Sequence, residues 1–161
     1  GDLLVRPVWL AGDDTPDTAA DSDAPDEPVR YVVDLEPGRA FGSGGHESTR
    51  LALEVLLDQT PQGARVLDVG CGSGVLAVAA AVAKDTTVVA IDIDEHALEI
   101  TRENAVRNGV GNRIIVESVS VAQLASAGQT FDVVLRQQRM HAGNINIASA
   151  VQFSNLDRLY H

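Results

Sequence analysis

Between Arg65 and Leu135 the sequence alternates strictly between short β-branched apolar runs and helix-length segments, and this alternation constrains the fold more than any other feature. Arg65–Val69, Thr86–Ile91, Arg113–Glu117 and Phe131–Leu135 have the character of buried strands. Between them lie an alanine-rich helix over Val75–Lys84, a helix over Glu95–Asn108 capped by Asp94 and stopped by Gly109, and a short helix over Val121–Ala127. Strands and helices in turn predict a doubly wound, parallel α/β sheet.

The flanking segments differ. Leu3–Leu10 reads as a strand interrupted by Pro7, and a residue without an N–H belongs on a sheet edge. Ala11–Pro28 has almost nothing to bury and reads as a solvated loop, with seven acidic residues between Asp13 and Glu27. Val29–Leu35 is a second strand, expected to hairpin with the first. Glu36–Glu47 packs four glycines and a proline into twelve positions, a density that brings backbone close to a ligand. Ser48 can cap a helix to Gln59 with Leu51, Val55 and Leu56 on one face, an Arg50–Glu54 pair on the other, and Pro61 and Gly63 as its stop. Residues 136–161 are polar, and only Asn144–Phe153 offers a further weak element.

A chain of 161 residues, 45% hydrophobic and 22% charged, is expected to form one folded domain: strands over 1–35 with the acidic loop 11–28, a core over 36–135, and the tail 136–161. Asp and Glu outnumber Lys and Arg by 23 to 12, a formal charge of −11 that repels phosphate. A nucleic-acid backbone is therefore not an expected direct partner, whereas a basic protein is. The lone Cys71 cannot form an intrachain disulfide, so a reducing, cytoplasmic setting is expected. No apolar run approaches the roughly 18 residues of a membrane span, and the first residues do not resemble an export signal.

The run Asp68-Val-Gly70-Cys-Gly72-Ser-Gly74 sits between a strand and a helix, where glycines permit a tight turn and free helix-start amides favour an anionic group. Asp92 ends the next strand, about 20 residues on, where such folds place a carboxylate that accepts from ribose hydroxyls. The spacing is G-x-G-x-G with an acid two positions earlier, not the G-x-G-x-x-G of dinucleotide sites, which speaks against a nicotinamide oxidoreductase. Asp68 would repel a pyrophosphate but can help hold an ammonium, directly or through water. S-adenosylmethionine, with an ammonium and a sulfonium and no phosphate, is the expected cofactor.

The run Pro37–Thr49 (PGRAFGSGGHEST), together with LDVGCGSGVLAVAA, AIDIDEHALEITRENAVRNGV and the early VRPVW, resembles the PrmA-type ribosomal protein methyltransferases, whose target is protein eleven of the large ribosomal subunit. The resemblance covers Leu3 to about Leu135. It implies a Rossmann-like class I S-adenosylmethionine-dependent methyltransferase fold and methyl transfer to protein amines. It further implies that Thr49 touches the cofactor, that Gly70 lies against its methionine part, that Asp92 holds its ribose, and that the loop from Phe41 and Gly42 to His46 folds over it. Gly72 and Asp68 complete the expected cofactor set; His46 is given no catalytic role, and no metal is expected. Where the family has Ala-Asn-Ile-Leu after the fourth strand, this sequence has Arg136-Gln-Gln-Arg-Met, with Gln137 at the aligned position. Residues 136–161 are too few for the family's further strands, so either that tail or a second copy is expected to cover the fourth strand's edge. The alternative function is a non-catalytic S-adenosylmethionine binder.

Overall fold

A computed structural model of the chain describes residues 3–10, 30–36 and 45–136, with only the backbone at 10 and 45–48. The acidic segment 11–28, Phe41, Gly42, Gln137 and the rest of the tail lie outside the described residues.

Among the described residues four strands form the main sheet: β3 (Arg65–Val69), β4 (Thr87–Ile91), β5 (Ile114–Glu117) and β6 (Val133–Arg136). All pair in parallel, in the order β5-β4-β3-β6. Helices α2 (Val75–Lys84), α3 (Glu95–Arg107) and α4 (Val121–Ser126) make the crossovers, each within two residues of its sequence expectation. The chain winds outward from β3 to β5 and then returns to the other side of β3. Because parallel crossovers keep one hand, that reversal moves the last helix to the opposite face.

The two faces follow the strand period. Val66, Val88, Ala90, Val133 and Leu135 join a core with α2 and Leu98 and Ala105 of α3, while Leu67, Val89, Ile91 and Val134 join a second with Leu124 of α4 and Phe131. Helix α2 is buried on nearly every side; Ala77, Ala79, Ala80 and Ala81 are wholly inaccessible, and their small side chains let the helix lie close on the sheet. Caps set the other helix starts. Asp94 accepts from the His96 amide at 3.0 Å, and Ser120 with Gln123 closes a capping box on α4. At the foot of β3 the Arg65 amide donates to Asp132 at 2.8 Å, and its guanidinium lies 4.9 Å from the Phe131 ring centre.

The first two strands do not form the expected hairpin. β1 (Leu3–Pro7) and β2 (Tyr31–Leu35) pair in parallel as a separate two-stranded sheet, from Leu3 beside Tyr31 to Pro7 beside Leu35. The connection is long enough for a parallel crossover, and this pairing places Val33 and Leu35 in the core with Leu3 and Val5 packed against it. Arg6 and Asp34, in register, form an ion pair.

Helix α1 (Gly45–Gln59) starts three residues before the expected cap at Ser48. The inward face is also shifted: Leu53 and Leu56 are buried against α2, while Leu51 is exposed. The Arg50–Glu54 pair forms as expected, at 3.0 Å. The helix ends before Pro61, with Gly63 in the left-handed region at φ 71°. None of the helices among the described residues is long and apolar enough to cross a membrane.

Candidate active site

The reversal of winding makes the carboxyl end of β3 the point where α/β sheets open a crevice for ligands. The glycine run leaves β3 there. Gly70 has φ 74° and Gly74 φ 79°, conformations a side chain would strain. At Gly74 a second constraint acts, since a Cβ would stand 2.8 Å from Thr101 of α3. At Gly72 a Cβ would meet nothing within 4 Å.

Four amides of the loop ahead of α2 are already bonded within the protein. Gly70 and Cys71 both donate to the Ile91 carbonyl, at 2.8 and 3.1 Å, and Gly74 donates to Cys71 at 2.8 Å. The Gly72 amide donates to Asp92 Oδ2 at 3.0 Å. These contacts tie the loop to itself and to the end of β4.

Asp92 therefore has two structural tethers, because its Oδ1 also accepts the Asp94 amide at 3.0 Å. Each carboxylate oxygen can accept a further bond, so a ribose hydroxyl pair remains compatible with both. Ile93, the next residue, is fully exposed: an apolar side chain presented to solvent directly beside the carboxylate.

Asp68 lies beneath the loop, 1% exposed. It accepts the Ala77 amide, serving the first turn of α2 where the N-cap Gly74 has no side chain to do so. Its Oδ2 is buried with no hydrogen-bond partner. Burial pushes its pKa from 3.8 up to about 7; the Ala77 bond opposes the rise and Asp92 adds to it. Burial likewise pushes the Cys71 thiol up to about 12, reinforced by Asp68 and opposed by its bond to Thr101. A neutral, inaccessible thiol is not a nucleophile.

The structure thus gathers Asp68, Gly70, Gly72 and Asp92 at the ends of β3 and β4. Thr49 stands half-buried near the start of α1, which packs on α2. Phe41 and Gly42 lie outside the described residues. Arg136 is exposed at the end of β6, in register with Val69.

Three residues escaped the sequence reading. On α3 and at its C-cap, Thr101, Asn104 and Asn108 share the inward face; Thr101 Oγ1 donates to the Gly72 carbonyl at 3.0 Å and Asn104 Nδ2 to the Ser73 carbonyl at 2.8 Å. The available signal was their spacing of three and four, on the face that carries Leu98 and Ala105.

The family profile for ribosomal protein L11 methyltransferase (PrmA) matches residues 11–137. Ribosomal protein L11 methyltransferase of Syntrophotalea carbinolica is 44% identical over 136 residues, covering 83% of this chain and 39% of that protein. The Methylococcus capsulatus enzyme of the same name is 50% identical over 101 residues, covering 63% of this chain and 32% of its own. The crystal structure of ribosomal protein L11 methylase from Lactobacillus delbrueckii subsp. bulgaricus superposes with a TM-score of 0.61 at 31% identity, over 84% of this chain and 62% of that one. The chain spans about two fifths of the length of the curated relatives it matches.

Proposed function

Given that the chain belongs to the ribosomal protein L11 methyltransferase (PrmA) family, we propose that it binds S-adenosylmethionine at the carboxyl ends of β3 and β4 and methylates protein amino groups. Its sheet is a Rossmann-like class I methyltransferase fold. The proposed substrate is ribosomal protein L11, through lysine side chains or the α-amine, and the proposed setting is the cytoplasm.

Asp68 carries the reading. A buried carboxylate oxygen without a partner is costly unless it takes up a proton or a cationic group satisfies it, and the cofactor's ammonium is such a group. The same carboxylate disfavours a dinucleotide, whose pyrophosphate it would repel, and the amides of Gly70, Cys71, Gly72 and Gly74 are already bonded within the protein. Asp92 accepts from the ribose, and exposed Ile93 offers an apolar face to the purine. Thr49, Gly70, Gly72, Phe41 and Gly42 complete the proposed cofactor set.

When bound, S-adenosylmethionine supplies an electrophilic methyl group on a sulfonium. The chain's residues hold and orient; the substrate amine must be neutral to attack, and water can take the proton. Alignment can supply about 7–11 kcal/mol, so such a site needs no acid–base triad. A net charge of −11 favours encounter with a basic protein.

A second reading, cofactor binding without transfer, draws on Arg136, a cation beside the mouth of the site that opposes an incoming ammonium. Calorimetric titration with S-adenosylmethionine, S-adenosylhomocysteine and NAD, followed by radiolabelled methyl transfer to L11, separates the readings. Micromolar binding of the first two alone, with transfer, supports the enzyme; binding without transfer supports the second reading; no binding by the folded chain defeats both.

Asp92→Ala removes the ribose acceptor and the tethers to Gly72 and Asp94 together. It is expected to cost about 1.5–3 kcal/mol of cofactor affinity, measured by the same calorimetry. Unchanged affinity would remove Asp92 from the site.

A further inference from the structure

We propose that Asn104 is a positioning residue whose amide clamps the exit of β2 to the glycine loop, so that these two segments hold one geometry around the cofactor cleft. Only the consequence for cofactor rests on the function proposed above.

Asn104 is fully buried. Its Nδ2 donates to the carbonyls of Glu36 at 2.9 Å and Ser73 at 2.8 Å. Its Oδ1 accepts the Glu36 amide at 2.8 Å and Arg107 Nη1 at 2.7 Å. Both donors and both acceptor positions of the amide are therefore used. A single side chain pairs with the backbone of Glu36, where the chain enters residues 37–44, and with the loop that follows β3.

Asn108, the C-cap of α3 four residues further on, repeats half of this arrangement. It pairs with both backbone groups of Asp34, at 2.8 and 2.7 Å, but its remaining bond goes to the Asn104 carbonyl and not to the glycine loop. Four helical residues rise about 6 Å, close to the roughly 6.6 Å that separates alternate strand residues. The two amides can therefore bond Asp34 and Glu36 together, as a neighbouring strand would. Thr101 supplies the complementary case, bonding the Gly72 carbonyl of the loop. Among these three residues Asn104 alone joins β2 to the loop.

Asn108 therefore provides the control for Asn104. Both Asn104→Ala and Asn108→Ala cut a strand-to-helix amide pair and are expected to lower the melting temperature, Asn104→Ala by more because it is fully buried and also loses the Ser73 and Arg107 bonds. Labelling is therefore compared as the rate in excess of each variant's own global unfolding rate. Only the first releases the glycine loop. Cys71 lies in that loop and is the chain's single cysteine, so its labelling by a thiol reagent reports loop order without any ligand. Under native conditions Asn104→Ala is expected to speed labelling at least tenfold over Asn108→Ala, and to weaken S-adenosylmethionine binding at least tenfold where Asn108→Ala leaves it near wild type. If Asn104→Ala does not fold, Asn104→Ser, which keeps a single hydroxyl donor in place of the two donated bonds, is read in the same way.

Equal labelling rates in the two variants would overturn the clamp. Faster labelling with unchanged cofactor affinity would overturn its role in shaping the cleft. If the wild-type chain does not bind the cofactor while the labelling contrast persists, the clamp stands and the functional proposal fails.

Discussion

Replacing Asp68 by asparagine is expected to weaken S-adenosylmethionine binding between about 150- and 5,000-fold at pH 8, and to remove the pH dependence of binding below neutrality. The first effect follows from leaving the cofactor's ammonium opposite a neutral amide; losing one partner of a buried ion pair costs about 3–5 kcal/mol. The second follows from the carboxyl's environment. Burial holds Asp68 at about 7 in the folded chain, against 3.8 ordinarily. Its proton is thus bound more tightly in the folded than in the unfolded state. The resulting stability is fully present below about pH 4 and is lost as pH rises through about 7. A bound ammonium favours the charged form, so binding expels that proton, and wild-type affinity falls about tenfold per pH unit below 7. Titrations at pH 5, 6, 7 and 8, with melting curves of both proteins without ligand, check each part. A wild-type affinity that is flat from pH 5 to 8 would detach Asp68 from the ammonium.

The parallel sheet was legible because each of its levels agrees. Buried parallel strands are written as apolar runs, and Asp94 and Ser120 announce the helices they cap. The glycine run was legible as a ligand loop for the same reason, since its setting between β3 and α2 follows from the elements around it. Its hydrogen bonds were not legible. That Gly70 and Cys71 donate to Ile91 depends on the register of β3 against β4, which a chain read in one dimension does not contain. The direction of β1 was hidden in the same way: the apolar pattern of Leu3–Pro7 suits either parallel or antiparallel pairing, and only packing of Val33 and Leu35 on the core with β1 alongside decides it. Asn104 was hidden by its chemistry. An asparagine on a helix is most simply a solvated one, and its burial makes sense only once Glu36 and Ser73, distant in sequence, are found against it.

Gly70→Val is expected to abolish measurable cofactor binding, and the comparison with Gly63→Val shows why position matters beyond strain. Both glycines are left-handed, at φ 74° and 71°, a conformation that is a genuine outlier for a β-branched residue and costs on the order of 1–3 kcal/mol. Gly63 precedes β3 and a Cβ there would meet nothing within 4 Å, so valine should lower the melting temperature and leave binding near wild type. Gly70 follows β3, about 16 Å away along the strand, and its amide is fixed to the Ile91 carbonyl at 2.8 Å. Valine there must either occupy the space proposed for the methionine part of the cofactor or break that bond and reshape the loop, and each route closes the site. Calorimetry on both variants, run below their melting temperatures, tests the contrast. Intact binding by Gly70→Val would move the cofactor away from the loop, whereas equal loss in both variants would assign the effect to backbone strain alone.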